Sequence, residues 1–412
     1  MTESGQPKFF YGYVVVVAGF LILVSMYGTL YSFSVFFKPV LAEFGWTRAM
    51  TSGAYSLTFF LSGAIAMVAG RLNDRFGPRI VMTCSGLLLG LGYLLMSRIS
   101  AIWELYLFYG VIVGTGMGGG IAPSLSTVAR WFVKKRGLMS GITIAGIGAG
   151  TTITPPIANW LISTYSWRTS FTIIGIAVLV LVVGLAQLLI RDPGRKGLLS
   201  YGAETAVAER SSLDVAGLSL HEAVRTRQLW TLFTIYICAG FFIQTILVHI
   251  VIHATGLGLS AASAAFIMFI IGIGNIIGRV ATGGVADRFG NKAAITSTLI
   301  LMAVGFIWLL TARELWMLYL FAFVFGLAHG GILCMMSPLP AGLFGLRSHG
   351  VILGVVMFGS TIGGGIGPVV AGSIFDVMNS YQTAFIICIA VIVAGLMLAI
   401  SIRPVYRAAS TE

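Results

Sequence analysis

The chain has 412 residues, of which 58% are hydrophobic and only 9% charged. A water-facing domain carries about 25% charged residues, so a soluble globular fold is excluded. The formal net charge of +12 would suggest nucleic acid in a soluble protein; in a chain this apolar it is first a question of membrane topology.

Apolar runs of about 20 residues, the length that crosses a bilayer core, predict spans at 11–37, 49–70, 80–97, 103–129, 138–163, 168–190, 229–252, 261–282, 293–312, 316–340, 350–375 and 382–402. Lipid offers the backbone no hydrogen bond, so each span must be a helix or part of a closed barrel. The runs show no two-residue alternation, which makes them helices. The polar start Met1–Lys8 leads into a run reaching Phe37, too long for a signal-peptide core and without a small-residue cleavage site. The first segment is therefore expected to stay as an anchor. In the fourth span Gly114-Thr115-Gly116-Met117-Gly118-Gly119 fits the dinucleotide pattern G-x-G-x-x-G. That pattern needs a strand before it and a helix opening after it, and here it lies inside a span. It reads instead as close helix packing, as do Gly146, Gly148 and Gly150 and the run Gly363-Gly364-Gly365. Cys84, Cys238, Cys334 and Cys388 all fall within spans and read as small packing residues rather than a disulfide or zinc framework. No Walker motif and no hydrolytic constellation is present. The chain is expected to be no enzyme, with no cofactor and no metal.

Lys and Arg outside the spans divide 19 to 5 in favour of the side carrying the termini. The positive-inside rule puts both termini in the cytoplasm, and the basic balance is topology rather than a nucleic-acid footprint. The one long polar stretch, 191–227, separates six spans from six. The expected organisation is a six-helix bundle over 1–190, a cytoplasmic linker over 191–227 with a short amphipathic helix at its end, and a second bundle over 228–412. The halves repeat. Gly70-Arg71-Leu72-Asn73-Asp74-Arg75-Phe76-Gly77 returns 213 residues later as Gly283-Gly284-Val285-Ala286-Asp287-Arg288-Phe289-Gly290. Gly137, Gly141 and Pro155 map to Gly350, Gly354 and Pro368 at the same shift. Parallel repeats of this kind build one large transporter fold. The loop sequence resembles the signature of the major facilitator superfamily, placed as in that family between spans two and three and again between eight and nine. The resemblance implies an all-α membrane protein with twelve transmembrane helices, two six-helix bundles related by pseudo-two-fold symmetry. It also implies a gating role for Gly70, Asp74, Arg75, Gly77, Gly283, Asp287, Arg288 and Gly290, in which the charged pair bridges neighbouring helix ends.

Every Asp and Glu can be placed in a loop, a tail or at a span edge; Asp376, at the end of the eleventh span, is expected to face solvent. Among the cations Arg279 is the exception, inside the eighth span with Asn275 one turn deeper on the same face. A charge at membrane depth costs about 3 kcal/mol or more and so faces a cavity or a partner. A guanidinium matches a carboxylate bidentately, which makes a small organic anion the simplest guest. The stretch Trp131-Phe132-Val133-Lys134-Lys135-Arg136-Gly137-Leu138-Met139-Ser140-Gly141-Ile142-Thr143 resembles the signature leading into span five of the monocarboxylate transporter family, departing mainly at Met139. Lys8-Phe9-Phe10-Tyr11-Gly12-Tyr13 resembles the family's opening of span one, with Lys8 where the family has an acid. The resemblance implies a substrate role for Arg279. Asn275 stands where the family has Asp, and Tyr31 where it has a lysine.

The site expected from this likeness comprises Arg279, Asn275, Tyr31, Leu30, Phe358 and His329. His329 and His249 are proton-carrier candidates, because histidine titrates near neutrality; His253 reads as a packing histidine. The expected function is proton-coupled symport of short monocarboxylates of the lactate or pyruvate type by alternating access. The alternatives are an organic-anion antiporter of the oxalate/formate type or, further off, a multidrug exporter. The oxalate/formate group carries a second cation in span eleven, and near Val356 this chain is apolar. The expected partners are the anion, a proton and membrane lipid, with the monomer as functional unit in a cell membrane of the bacterial inner-membrane kind.

Overall fold

The computed structural model describes residues 10–132, 136–201, 217–345 and 348–402, apart from the side chains of Met67, Asp74, Arg136, Gly137, His349 and Gly350. Twelve long helices run through these residues: α1 (Gly12–Phe44), α2 (Arg48–Phe76), α3 (Pro78–Met96), α4 (Ile102–Trp131), α5 (Arg136–Thr164), α6 (Trp167–Ala186), α7 (Arg227–Gly256), α8 (Ala261–Phe289), α9 (Asn291–Thr311), α10 (Leu315–Phe344), α11 (His349–Met378) and α12 (Gln382–Ser401). Among the described residues ten of them hold a window apolar enough to cross a bilayer. α5 falls short because it is rich in glycine, threonine and proline, and α2 is described only in part. At 29 residues each they still reach about 43 Å at 1.5 Å per residue, past a hydrocarbon core of about 30 Å.

Local chemistry fixes where the helices begin. The Thr47, Ser166, Thr226 and Ser260 side chains each accept from a first-turn N–H of α2, α6, α7 and α8, satisfying donors that a helix start leaves free. Three helices are interrupted. α1 breaks at Ser32, whose Oγ donates to the Gly28 carbonyl at 2.7 Å, so Tyr31 closes one segment and Phe33 opens the next. α10 breaks between Met335 and Pro338. α4 widens to a π-helical stretch at Tyr106–Val113. Its glycines are occupied by packing: a side chain at Gly114 would meet the Thr58 backbone, one at Gly116 the Leu89 side chain and one at Gly118 the Ile65 side chain.

The repeat seen in sequence is a repeat in conformation. Gly77 and Gly290 both end one helix and begin the next, at φ 88° and 86°, and each N–H donates to the carbonyl four residues back, at 2.9 and 2.8 Å. Only glycine holds that backbone without strain. Between the halves, the linker is tied down at both ends. The Tyr201 N–H donates to the Trp131 carbonyl at 2.9 Å in the first half, and the Leu218 N–H to the Phe344 carbonyl at 2.8 Å in the second. The short helix expected there is Leu220–Val224, with Ser219 and Glu222 capping its start reciprocally.

The halves touch along α2 with α11, α5 with α8 and α1 with α7, and the contact is lopsided. From mid-membrane to the face opposite the termini the fit is close. A side chain at Gly63 would meet Thr361, at Gly148 Ile276, at Gly272 Thr152, at Gly364 Phe59 and at Gly372 the Ala49 backbone. Toward the face carrying the termini, a side chain at Gly70, Gly141, Gly283, Gly284 or Gly354 would meet nothing within 4 Å. Among the described residues the junction is closely packed toward the far face and leaves these glycines without neighbours toward the terminal face.

Candidate substrate site between the two halves

Asn275 and Arg279 lie near the middle of α8. Asn275 is 4% exposed and pinned from two directions. A side chain added at Gly148 of α5 would come to 3.5 Å from its Oδ1, and one at Gly330 of α10 would run into its backbone carbonyl. The Arg279 Nε–H donates to Asn275 Oδ1 at 3.1 Å. That bond uses the Nε edge of the guanidinium and leaves its two terminal nitrogens for a guest. Among the described residues Arg279 forms no ion pair with a carboxylate. A half-buried guanidinium without a carboxylate partner among the described residues has the chemistry to pair with an anion.

Three groups share its field: Tyr31 from α1, His329 from α10 and Cys334 from α10. Tyr31 also adjoins Tyr27 and Gln244, and Gln244 accepts from the Tyr55 hydroxyl at 2.8 Å across the halves. His329 is buried with Nδ1 lacking any hydrogen-bond partner, beside Phe325 at 5.9 Å. Arg279, Asn275, Tyr31 and His329 are thus brought together from α1, α8 and α10. Phe358 lies on the other seam of the junction, 6.3 Å from Phe60. Leu30 is buried in the first half, its carbonyl accepting from the Tyr109 hydroxyl at 3.2 Å; nothing ties it to Arg279. His249 is fully buried and both its nitrogens are engaged, Nδ1 with the Tyr381 hydroxyl at 2.9 Å and Nε2 with the Pro368 carbonyl at 2.8 Å. His253 packs edge-on against Tyr381 and Phe385.

Sequence reasoning missed Gln244 and Tyr55, read as ordinary span residues, and Cys334, read as apolar packing. A polar residue at mid-span was a usable signal for Gln244; nothing marks Cys334 except its place five residues after His329. Asp376 faces solvent as expected, and it also has partners that the sequence did not show. Its carboxylate accepts from the Arg48 and Ala49 backbone N–H groups of α2 at 2.9 and 2.8 Å. In the repeated loops Arg75 and Arg288 lie 5.1 and 5.3 Å from the rings of Phe76 and Phe289. Asp287 and Arg288 are exposed and form no ion pair among the described residues. The Asp74 side chain lies outside the described residues.

Comparison with known proteins agrees with this architecture. The profile of the family described as Major Facilitator Superfamily matches residues 19–310 and again 273–412. The bacterial homologue of the human lysosomal transporter Spinster, solved in an inward-facing and occupied conformation, superposes with a TM-score of 0.75 at 16% identity, covering 96% of each chain. The chain belongs to the Major Facilitator Superfamily: it is a multi-pass membrane transporter. Within that family it is similar to Monocarboxylate transporter 13 of Rattus norvegicus, 28% identical over 95% of this chain and 89% of that one. It is also similar to Monocarboxylate transporter 11 of Homo sapiens, 28% identical over 95% and 83%, and to Monocarboxylate transporter 3 of Rattus norvegicus, 28% identical over 97% and 81%.

Proposed function

We propose that this protein carries short monocarboxylates of the lactate or pyruvate type across the cell membrane by proton symport, both termini being cytoplasmic and the monomer sufficient. The observation that carries the reading is the Arg279 guanidinium, held by Asn275 and paired with no carboxylate among the described residues. One fork neutralises one carboxylate. Val356, where an oxalate-type carrier would place its second cation, is buried and apolar. The resemblance to relatives named monocarboxylate transporters supports the same substrate class.

The lopsided junction supports alternating access. The glycines Gly70, Gly141, Gly283 and Gly354 face empty space here, whereas their counterparts in the far half of the membrane are in close contact. They are the places where the halves would meet when the carrier opens the other way. Coupling follows from charge balance. A proton on His329 would set a second cation in the field of Arg279, and like charges repel. A bound carboxylate cancels the first charge and lets the proton join it, so anion and proton favour each other's binding. His249 has no free nitrogen to offer and serves the closed face instead.

The test is uptake of radiolabelled lactate into proteoliposomes under an imposed proton gradient, acidic on the side of entry. Accumulation that collapses with the gradient supports symport. Equal uptake with and without the gradient refutes it, and no uptake of lactate or pyruvate refutes the substrate class.

A further inference from the structure

The face opposite the termini is closed by one compact network that crosses the halves on the α2–α11 seam. α2 begins at Arg48, and a helix start leaves its first N–H groups without partners. Thr47 takes the N–H of Met50 at 3.1 Å. The N–H groups of Arg48 and Ala49 are satisfied from the other half of the molecule, by the two oxygens of Asp376 near the end of α11. A carboxylate there also meets the positive end of the helix dipole. The Arg48 side chain reaches back across the same seam: its guanidinium stacks over the Phe375 ring at 3.4 Å, and Nη1 donates to the Tyr381 hydroxyl at 2.7 Å. In a neutral His249 ring the Nε2–H donates to the Pro368 carbonyl, so Nδ1 accepts the Tyr381 hydroxyl proton. The Ser52 Oγ of α2 donates to the same Pro368 carbonyl at 3.1 Å.

We propose that Asp376 is the reversible latch of the outer gate, a helix cap supplied in trans that holds α2 against α11 while the site is open to the other side. The proposal rests on the alternating-access reading above. Its chemistry suits a part that must open in every cycle. The capped N–H groups lie at an exposed membrane face, where water takes them when the latch parts. The latch therefore biases the equilibrium without locking it. It is also one-sided. At the repeat's shift of 213 residues, Ser163 stands for Asp376 and Ala261 for Arg48. Ser163 donates to the Asn159 carbonyl of its own helix, and among the described residues the α5–α8 seam shows no equivalent cap.

The test measures conformation without substrate. After the native cysteines are replaced, nitroxides at Met50→Cys and Val377→Cys report the outer ends of α2 and α11. A second pair at Leu72→Cys and Val351→Cys reports their opposite ends. Asp376→Asn keeps the shape and removes the charge; it should lower the ratio of closed to open outer gate roughly tenfold, the size of a lost helix cap. The outer distance should lengthen and the terminal-face distance shorten together, while Asp376→Glu keeps the wild-type distribution. Arg48→Gln, perturbing the latch from the other half, should shift both distances the same way, and it stands in if the Asp376 variant does not fold. Unchanged distributions in both variants overturn the proposal. So does outer lengthening alone, which is local fraying. Because no substrate is present, failure of the monocarboxylate reading leaves these results intact, and failure of the latch leaves lactate uptake unaffected.

Discussion

Replacing Asn275 by Asp puts the reading of the anion site at its greatest risk. The substitution changes almost no volume and leaves an oxygen where Oδ1 now accepts from Arg279 Nε at 3.1 Å. What changes is charge: a resident carboxylate would occupy the fork that the substrate needs. Two unit charges at about 4 Å attract by roughly 4 kcal/mol at an effective dielectric near 20. Arg279 is half-buried, so screening leaves about 2 kcal/mol of that attraction. An incoming anion would then meet a neutral pair instead of a cation, and its affinity should fall roughly thirtyfold, since 1.4 kcal/mol is a factor of ten. The sign with pH follows from the same pair. The new carboxylate is ionised at neutral pH and competes fully; in acid it protonates, returns the fork to the substrate and recovers affinity. The assay is lactate counterflow in proteoliposomes without a gradient, with half-saturation measured from neutral to acidic pH. Wild-type half-saturation at neutral pH in Asn275→Asp would refute the claim that Arg279 is the free anion-binding fork.

Three further outcomes follow from particular contacts. Arg279→Lys keeps the charge but loses both the planar fork and the Nε bond to Asn275; half-saturation for lactate should rise at least tenfold, the worth of one hydrogen bond to a charged group at about 1.5–3 kcal/mol. Gly77→Ala and Gly290→Ala force a side chain onto φ near 88° and 86°; each should lower stability by about 1–3 kcal/mol, seen as matching falls in melting temperature for the detergent-purified protein. Glu43→Gln breaks the pair with Arg168 at 2.6 Å, whose side chains are 42% and 35% exposed. The loss should stay under about 1 kcal/mol, with melting temperature nearly unchanged.

The fold was legible because membrane helices announce themselves by length and apolarity, and because the loop at Gly70–Gly77 returns at Gly283–Gly290 with the same backbone. The contact between Arg279 and Asn275 was legible for a related reason: a cation inside an apolar span either snorkels to the surface or finds a partner, and a one-turn spacing puts Asn275 within its reach. What stayed hidden depends on contacts between distant spans. Leu30 and Phe358 entered the expected site through family likeness, yet the break at Ser32 gives Tyr31 to the site while Leu30 packs in the first half. His249 and His329 look alike in sequence; only packing shows one with both nitrogens engaged and the other with Nδ1 free. Asp376 sits at a span edge, where a carboxylate usually meets water, and its partners on α2 lie 328 and 327 residues away in sequence.

The two copies also divide the labour between parts that must be alike and parts that must differ. Gly77 and Gly290 share one backbone geometry because both halves need the same tight turn between consecutive helices. A twofold-symmetric carrier could not commit a single charge to its centre without duplicating it, and two forks would ask for two carboxylates. At the repeat's shift, Ala66 and Ser62 stand where Arg279 and Asn275 do, so the cation is single. The gate is asymmetric in the same manner. Tyr381, which takes the Arg48 guanidinium, corresponds to Arg168, and Arg168 is committed to Glu43 within its own half. The latch can therefore form on one seam only, and breaking that seam need not disturb the α5–α8 packing that holds Asn275 in place. On the alternating-access reading proposed above, separating the seam that opens from the seam that positions the fork would let the carrier change its access while Asn275 keeps Arg279 oriented.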